Sequence, residues 1–259
     1  MAHSSKSKAN DITYLIDFLT EVKRSVVSIY FQNHQLGSGA FAKINSNPAI
    51  LCVLTDCKVI SQDSLEHPIT IKYSTDKGRF QKEIFPTHLG NFQSKIFEIL
   101  QESSTNLAII QLSNDAIQDF CRNDAHFMRV LEPREGSEVI YFEIIERENN
   151  FKMLMSPVKT INKIFQTEFT INSCIDINAK GGVFIDIEDK TLVGLCISFE
   201  SSLSDNKLTK ALNLAKLVER IQIEVESMPS KFDTEEIKSI VTEAPLQPSI
   251  SSGMIIFGI

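Results

Sequence analysis

Residues 177–195 read INAKGGVFIDIEDKTLVGL, and this stretch decides the fold. Two apolar runs, VFIDI and TLVGL, are rich in β-branched residues and flank a polar EDK turn, the pattern of a β-hairpin. The pair Gly181-Gly182 stands directly before the first run. Paired glycines permit a tight turn and close packing of neighbouring strands, because no Cβ stands in the way. A lysine, Lys180, heads the pair.

The same strand pattern extends outward from this hairpin. SVVSIYF, GSGAFAKI, AILCVLT, ITIKYS, RFQKEIFP, NLAIIQL, EVIYFEII, FKMLMSPVKTI and TEFTINSCI are short β-rich runs separated by polar turns. So many short strands predict an all-β sandwich or a pair of barrels, not a βαβ sheet. The polar stretch SNDAIQDFCRNDAH, residues 113–126, divides the strands into two sets of similar size and reads as a link. Helical spacing appears only at the flanks. In NDITYLIDFLTEVKRSV, Asn10 or Asp11 supplies a cap, and Ile12, Leu15, Ile16, Phe18 and Leu19 form an apolar stripe. That predicts a helix over residues 11–23, packed on the domain. In NKLTKALNLAKLVERIQIEVES, the spacing of Leu212, Leu214, Leu217, Ile221 and Val225 predicts a second helix over 208–226.

Beyond Met228 the chain is polar and proline-bearing and reads as a tail, with a short helix near residues 234–241. Its last seven residues, GMIIFGI, suit an extra strand on the protein's own sheet. The other reading is an exposed ligand, with Phe257 and Ile259 adding to the sheet edge of a PDZ-type partner.

The 259 residues carry a formal net charge of -7, which argues against nucleic acid as the main partner, since phosphate binding needs a concentrated Lys/Arg surface. The opening residues MAHSSKSKANDI are polar where a secretory signal would turn apolar, and no apolar run approaches the roughly 20 residues of a membrane span. The five cysteines, Cys52, Cys57, Cys121, Cys174 and Cys196, are odd in number and form no CxxC pair. They read as reduced, mostly buried thiols of a cytoplasmic or nuclear protein. The histidines His3, His34, His67, His88 and His126 show no metal-ligand spacing with them, so neither metal nor other cofactor is expected.

Five of these segments, taken in order, resemble those of HtrA-type trypsin-fold serine proteases, over residues 25–199. SVVSIYFQNHQLGSGAFAKI resembles the first strands with their G-S-G-F-like turn, here Gly37, Ser38, Gly39, Ala40 and Phe41. VLTDCKVI resembles the segment that ends in the catalytic histidine, and the matching residue is Lys58. STNLAIIQL resembles the strand carrying the catalytic aspartate, and the matching residue is Asn106. EGSEVIYFEI resembles the start of the second barrel. INSCIDINAKGGVFIDIEDKTLVGL resembles the nucleophile segment, with Lys180 at the serine position.

The resemblance implies an all-β fold of two six-stranded antiparallel barrels, trypsin-like, with an N-terminal and a C-terminal helix. The expected division is an N-terminal segment with its helix over 1–24, a first barrel over 25–115 and a linker over 116–126. A second barrel over 127–205, a helix over 206–227 and a tail over 228–259 follow.

It also implies lost chemistry. In this fold a serine attacks, an imidazole takes its proton and a carboxylate orients the imidazole. Lys58 is a base only if burial strips its proton, Asn106 carries no charge, and Lys180 is no acyl-transfer nucleophile here. The oxyanion turn needs a special backbone two residues before the nucleophile, where Asn178 stands, followed by Ala179. Gly181-Gly182 reads first as a packing device. Cys57, next to Asp56, lacks a base and reads as a packed thiol. Ser38 is expected in a turn far from the cleft centre. The reading is therefore a pseudoprotease that binds protein or peptide, with no nucleic acid or membrane partner. A hypothetical cleft of Lys58, Asn178, Lys180 and Gly181 is cationic and suits an acidic peptide. Two alternatives stay open: lysines that merely point into water where catalysis ended, and an active peptidase with a rearranged site.

Overall fold

The computed structural model describes residues 12–45, 48–60, 63–89, 95–98, 106–147, 150–171, 180–200, 208–217 and 219. The expected tail, its short helix and GMIIFGI lie outside them. Among the described residues no helix is long and apolar enough to cross a membrane.

Helix α1, Ile12–Lys23, buries Phe18 and Val22, and Tyr14, Leu15 and Leu19 pack beside them. Ile12 and Ile16, four apart and therefore on one face, point outward. The stripe expected from spacing is thus split, with its Phe18 side on the core.

The first sheet holds β1 (Val26–Phe31), β2 (His34–Ile44), β3 (Ile50–Asp56), β4 (Ile69–Thr75), β5 (Gly78–Ile84), β6 (Lys95–Glu98) and β7 (Asn106–Gln111). They pair in the order β5-β4-β1-β2-β3-β7-β6, and β8 (Met128–Arg129) runs parallel to β2. Past β5, Leu89 bridges Leu112 beyond β7, and the Ser113 N–H donates to His88 O at 2.7 Å, so the chain after β5 rejoins the sheet beyond β7. The turn between β1 and β2 is Gln32-Asn33, both left-handed (φ 47° and 67°), as a two-residue hairpin between twisted strands requires. The GSGAF stretch is no turn: it lies inside β2, paired with β1 and β3.

The expected linker holds a helix. Ser113 caps α2, Asn114–Arg122, by accepting the Ala116 N–H, and Ala116 and Phe120 enter the core of the first barrel.

The second sheet holds β9 (Glu138–Arg147), β10 (Asn150–Met155), β11 (Lys159–Ile164), β12 (Glu168–Ile171), β13 (Val183–Asp186), β14 (Thr191–Glu200) and β15 (Leu208–Asn213). β9, β11, β12, β15, β14 and β13 close into a six-stranded antiparallel ring, and β10 extends from β9. Leu208–Asn213 corrects the helix expected from residue 208: it is a strand, paired with β12 and β14. Leu, Lys and Ala favour a helix locally, but the ring has an open place between β12 and β14, and ladder pairing there overrides propensity. Helical residues begin at Leu214, and all but Glu219 of those past 217 lie outside the described residues.

Period-two alternation explains how the barrels join. In β2, Phe41 enters the core of the first barrel, while Ala40 and Ala42 face a second core shared by both barrels and α1. Val53 likewise points into the first barrel, between Cys52 and Leu54 of the shared core. On the other side, Tyr141 and Phe184 fill the second barrel, while Ile140, Phe142, Val183 and Ile185 face the first. Strands buried on both faces read as near-continuous apolar runs, which is why AILCVLT and NLAIIQL show little alternation in sequence. The described cysteines, Cys52, Cys57, Cys121 and Cys196, form no disulfide with one another; Cys121 is exposed and Cys174 lies outside the described residues.

Candidate functional site

The site is the seam where the end of β3 meets the turn before β13. β3 ends at Asp56, and a turn carries Cys57, Lys58 and Val59. The Asp56 carboxylate is 4% exposed and accepts the Lys58 N–H at 2.8 Å, which closes that turn. Burial raises the Asp56 pKa above the usual carboxylate range. The Lys58 N–H and charge, the Cys57 thiol and the Lys180 charge work against that rise. The two lysines, 122 positions apart by their numbers, therefore act on one buried carboxylate.

The Lys180 carbonyl accepts the Ser38 N–H at 2.7 Å, which seats the second-barrel turn directly on β2. Gly181 follows at φ +77°, and a Cβ there would collide with Ser38 O and Thr55 Oγ1. A Cβ on Gly182 would collide with the Tyr141 ring and hydroxyl. Both positions require glycine, one for left-handed backbone and both for space.

Ser38 sits at the centre of this seam, not far from it as its expected place in a turn implied. β2 runs unbroken from the Gln32-Asn33 hairpin, so Ser38 falls mid-strand, on the face toward the second barrel. Its hydroxyl donates to Ile144 O at 3.0 Å and accepts the Ile144 N–H at 2.8 Å. Gln35 adds Nε2–H to Ile144 O at 2.6 Å and accepts the Glu146 N–H at 2.8 Å. Thr55 Oγ1 donates to Ser38 O at 2.6 Å. These hydroxyls are buried and engaged in joining β2, β3 and β9.

Lys58 and Lys180 are both exposed. Asn106 opens β7 beside Leu107, the pairing partner of Asp56, so its backbone borders the site; its side chain lies outside the described residues. Asn178 and Ala179, and the oxyanion turn expected there, also lie outside them. Among the described histidines, His67 packs on Phe31, His88 on Phe85, and His34 pairs with Phe31 in the first hairpin. The His126 backbone N–H donates to Arg24 O at 3.0 Å.

Behind Gly182 lies a buried cluster. Tyr141 Oη donates to Glu143 Oε2 at 2.8 Å, and the Cys196 N–H donates to Gly182 O at 3.0 Å. Burial first, then the Glu143 and Asp56 charges, push the Cys196 thiol up to about 12. A thiol so held stays protonated at neutral pH and is no nucleophile.

Sequence reading named Lys58 and Lys180 but missed Asp56 as the carboxylate between them. The signal was the polar pair Asp56-Cys57 ending an apolar strand, where a side chain closes a turn onto its own backbone. Glu143 carried a signal too, as a lone acid inside the apolar run VIYFEII.

No family model and no curated protein matches the chain. Solved structures do. The serine protease domain of the Sesbania mosaic virus polyprotein aligns with a TM-score of 0.52 at 16% identity, over 76% of this chain and 91% of that one. Neuropsin, a serine protease of mouse brain, aligns at 0.53 and 12%, over 80% and 96%. An inactivated protease paralogue from the scabies mite aligns at 0.52 and 15%, over 81% and 97%. The fold of the chain is that of the trypsin-like serine proteases.

Proposed function

We propose that this trypsin-fold protein is a pseudoprotease, a peptide- or protein-binding module whose binding centre is the Lys58–Lys180 seam. The observation that carries the reading is the exposed lysine pair set over the buried Asp56 carboxylate, where the hydroxyls of Ser38 and Thr55 are consumed by structural hydrogen bonds. Two ammonium groups and one buried carboxylate leave a net positive mouth on a chain of net charge -7. Such a mouth favours a peptide carboxylate, from an acidic side chain or a chain terminus. The scabies mite neighbour, named as an inactivated protease, supports the view that this fold outlives its chemistry.

The test is a charge-reversal titration. Peptides of matched length carrying Glu, Gln or Lys are titrated against the wild type and Lys58→Glu/Lys180→Glu by fluorescence anisotropy. Preferential binding of the Glu peptides, weakened at least tenfold by the double reversal, is expected. Equal binding of all three, or none, would overturn the reading.

A further inference from the structure

A second groove lies between the β4–β5 hairpin of the first barrel and the β9–β10 hairpin of the second. It consists of two cavities that share Arg79 and Phe151. The larger, 480 Å³, has an apolar wall of Ile144, Phe151 and Met153 with Lys23 and Asp76 at its rim. The smaller, 230 Å³, adds Lys72, Gln81 and Glu146. The walls are sheet edges: β5 and β10 each end their sheet, with one pairing neighbour apiece among the described strands. A free edge offers backbone N–H and C=O groups to an added strand.

The charges select the occupant. Lys23 is 3.6 Å from Asp76, and Lys72 is 3.3 Å from Glu146, which also accepts the Tyr30 hydroxyl. Arg79 is exposed and has no carboxylate partner among the described residues. Its guanidinium instead lies 5.8 Å from the Phe151 ring centroid and donates to Phe151 O at 3.4 Å. An arginine stacked on an aromatic ring is held in place while its remaining N–H donors stay open to a carboxylate. On one side of that cation lie the aliphatic side chains of Ile144 and Met153, and on the other the aromatic rings of Tyr73 and Phe80.

We infer that this groove is a docking site, separate from the Lys58–Lys180 seam, for an extended peptide that carries an acidic residue next to an aliphatic one. The carboxylate pairs with Arg79, a neighbouring aliphatic side chain enters the 480 Å³ cavity against Ile144 and Met153, and the peptide backbone runs along β5 or β10.

The experiment uses the full chain and three fluorescein-labelled octapeptides in which Glu alternates with Leu, Ile or Phe, with Lys-for-Glu versions as controls. Binding is measured by anisotropy at low salt and mapped by hydrogen–deuterium exchange. Slower exchange in residues 78–84 and 150–155 that is lost in Arg79→Glu, with at least tenfold weaker binding at this groove, and that persists in Lys58→Glu/Lys180→Glu, whose own loss is confined to the seam, is the result expected. Arg79→Gln, which keeps the neutral stem, weakens binding less. Four outcomes would overturn the inference. They are no binding by any Glu peptide, equal binding of the Lys peptides, and loss only in the lysine double reversal. The fourth is a concentration-dependent dimer abolished by Arg79→Glu, which would make the groove a contact between copies of this chain. Only loss confined to the double reversal leaves the seam reading standing alone.

Discussion

Replacing Ser38 by alanine tests whether the seam's serine is a joint between barrels. The hydroxyl makes two hydrogen bonds to Ile144, one as donor and one as acceptor. Alanine leaves Ile144 O with Gln35 as its partner but strips the Ile144 N–H of its acceptor. An unsatisfied buried N–H costs about 1–3 kcal/mol, and the second lost bond adds about 1 kcal/mol, giving about 2–4 kcal/mol in all. For a chain of this size that is a fall in Tm of roughly 4–16 °C. The assay is thermal and urea unfolding followed by circular dichroism, with Ser137→Ala as a partly exposed control expected within about 0.5 kcal/mol of wild type. A Ser38→Ala protein within 2 °C of the wild type, on the scale of roughly 2–4 °C per kcal/mol, would refute the clamp.

Other consequences follow from the same geometry. Gly181→Ala forces a Cβ at φ +77° into Ser38 O and should destabilise by about 3 kcal/mol in urea unfolding, combining left-handed strain with overpacking. Phe18→Ala should cost about 3–5 kcal/mol, because its ring is fully buried between α1 and the shared core, 6.0 Å from that of Phe142. Asp56 has a raised folded pKa, so the wild type loses stability as pH rises from the unfolded carboxyl range near about 3.9 through the folded value. Asp56→Asn keeps an acceptor for Lys58 N–H and removes that slope, so its stability relative to wild type should rise as pH rises from the unfolded carboxyl range through the folded value. Glu146 is the opposite case: the Tyr30 hydroxyl, then Lys72, hold its carboxyl below the usual range. Its contribution is present above the unfolded pKa and fades as pH falls through the folded one, so Glu146→Gln should destabilise at pH 7 and converge with wild type in acid.

Strand periodicity made the two barrels legible because most strands keep their apolar faces contiguous in sequence. Leu208–Asn213 was not legible, since its residues favour a helix and only the gap between β12 and β14 makes them a strand. The helix in residues 114–122 was hidden by its polarity: Ala116 and Phe120 are buried and Ile117 packs beside them, a short stripe among polar residues. At the site, Lys58 and Lys180 were found through the order of motifs along the chain. Asp56 and the Ser38–Ile144 clamp were not, because both depend on which strands lie face to face across the seam. Gly37-Ser38-Gly39 looked like a turn for the same reason: its glycines serve close contact with Lys180 and β3, a tertiary demand that local sequence does not display.

The binding role proposed for the Lys58–Lys180 seam requires that the protein cleave no peptide bond. The most direct measurement is mass-spectrometric counting of new peptide termini after incubation of unfolded casein with the wild type, Lys58→Ala and Lys180→Ala. The account predicts no new termini above background in any of the three. New termini produced by the wild type and absent with both variants would contradict it, and would make the lysines a catalytic pair.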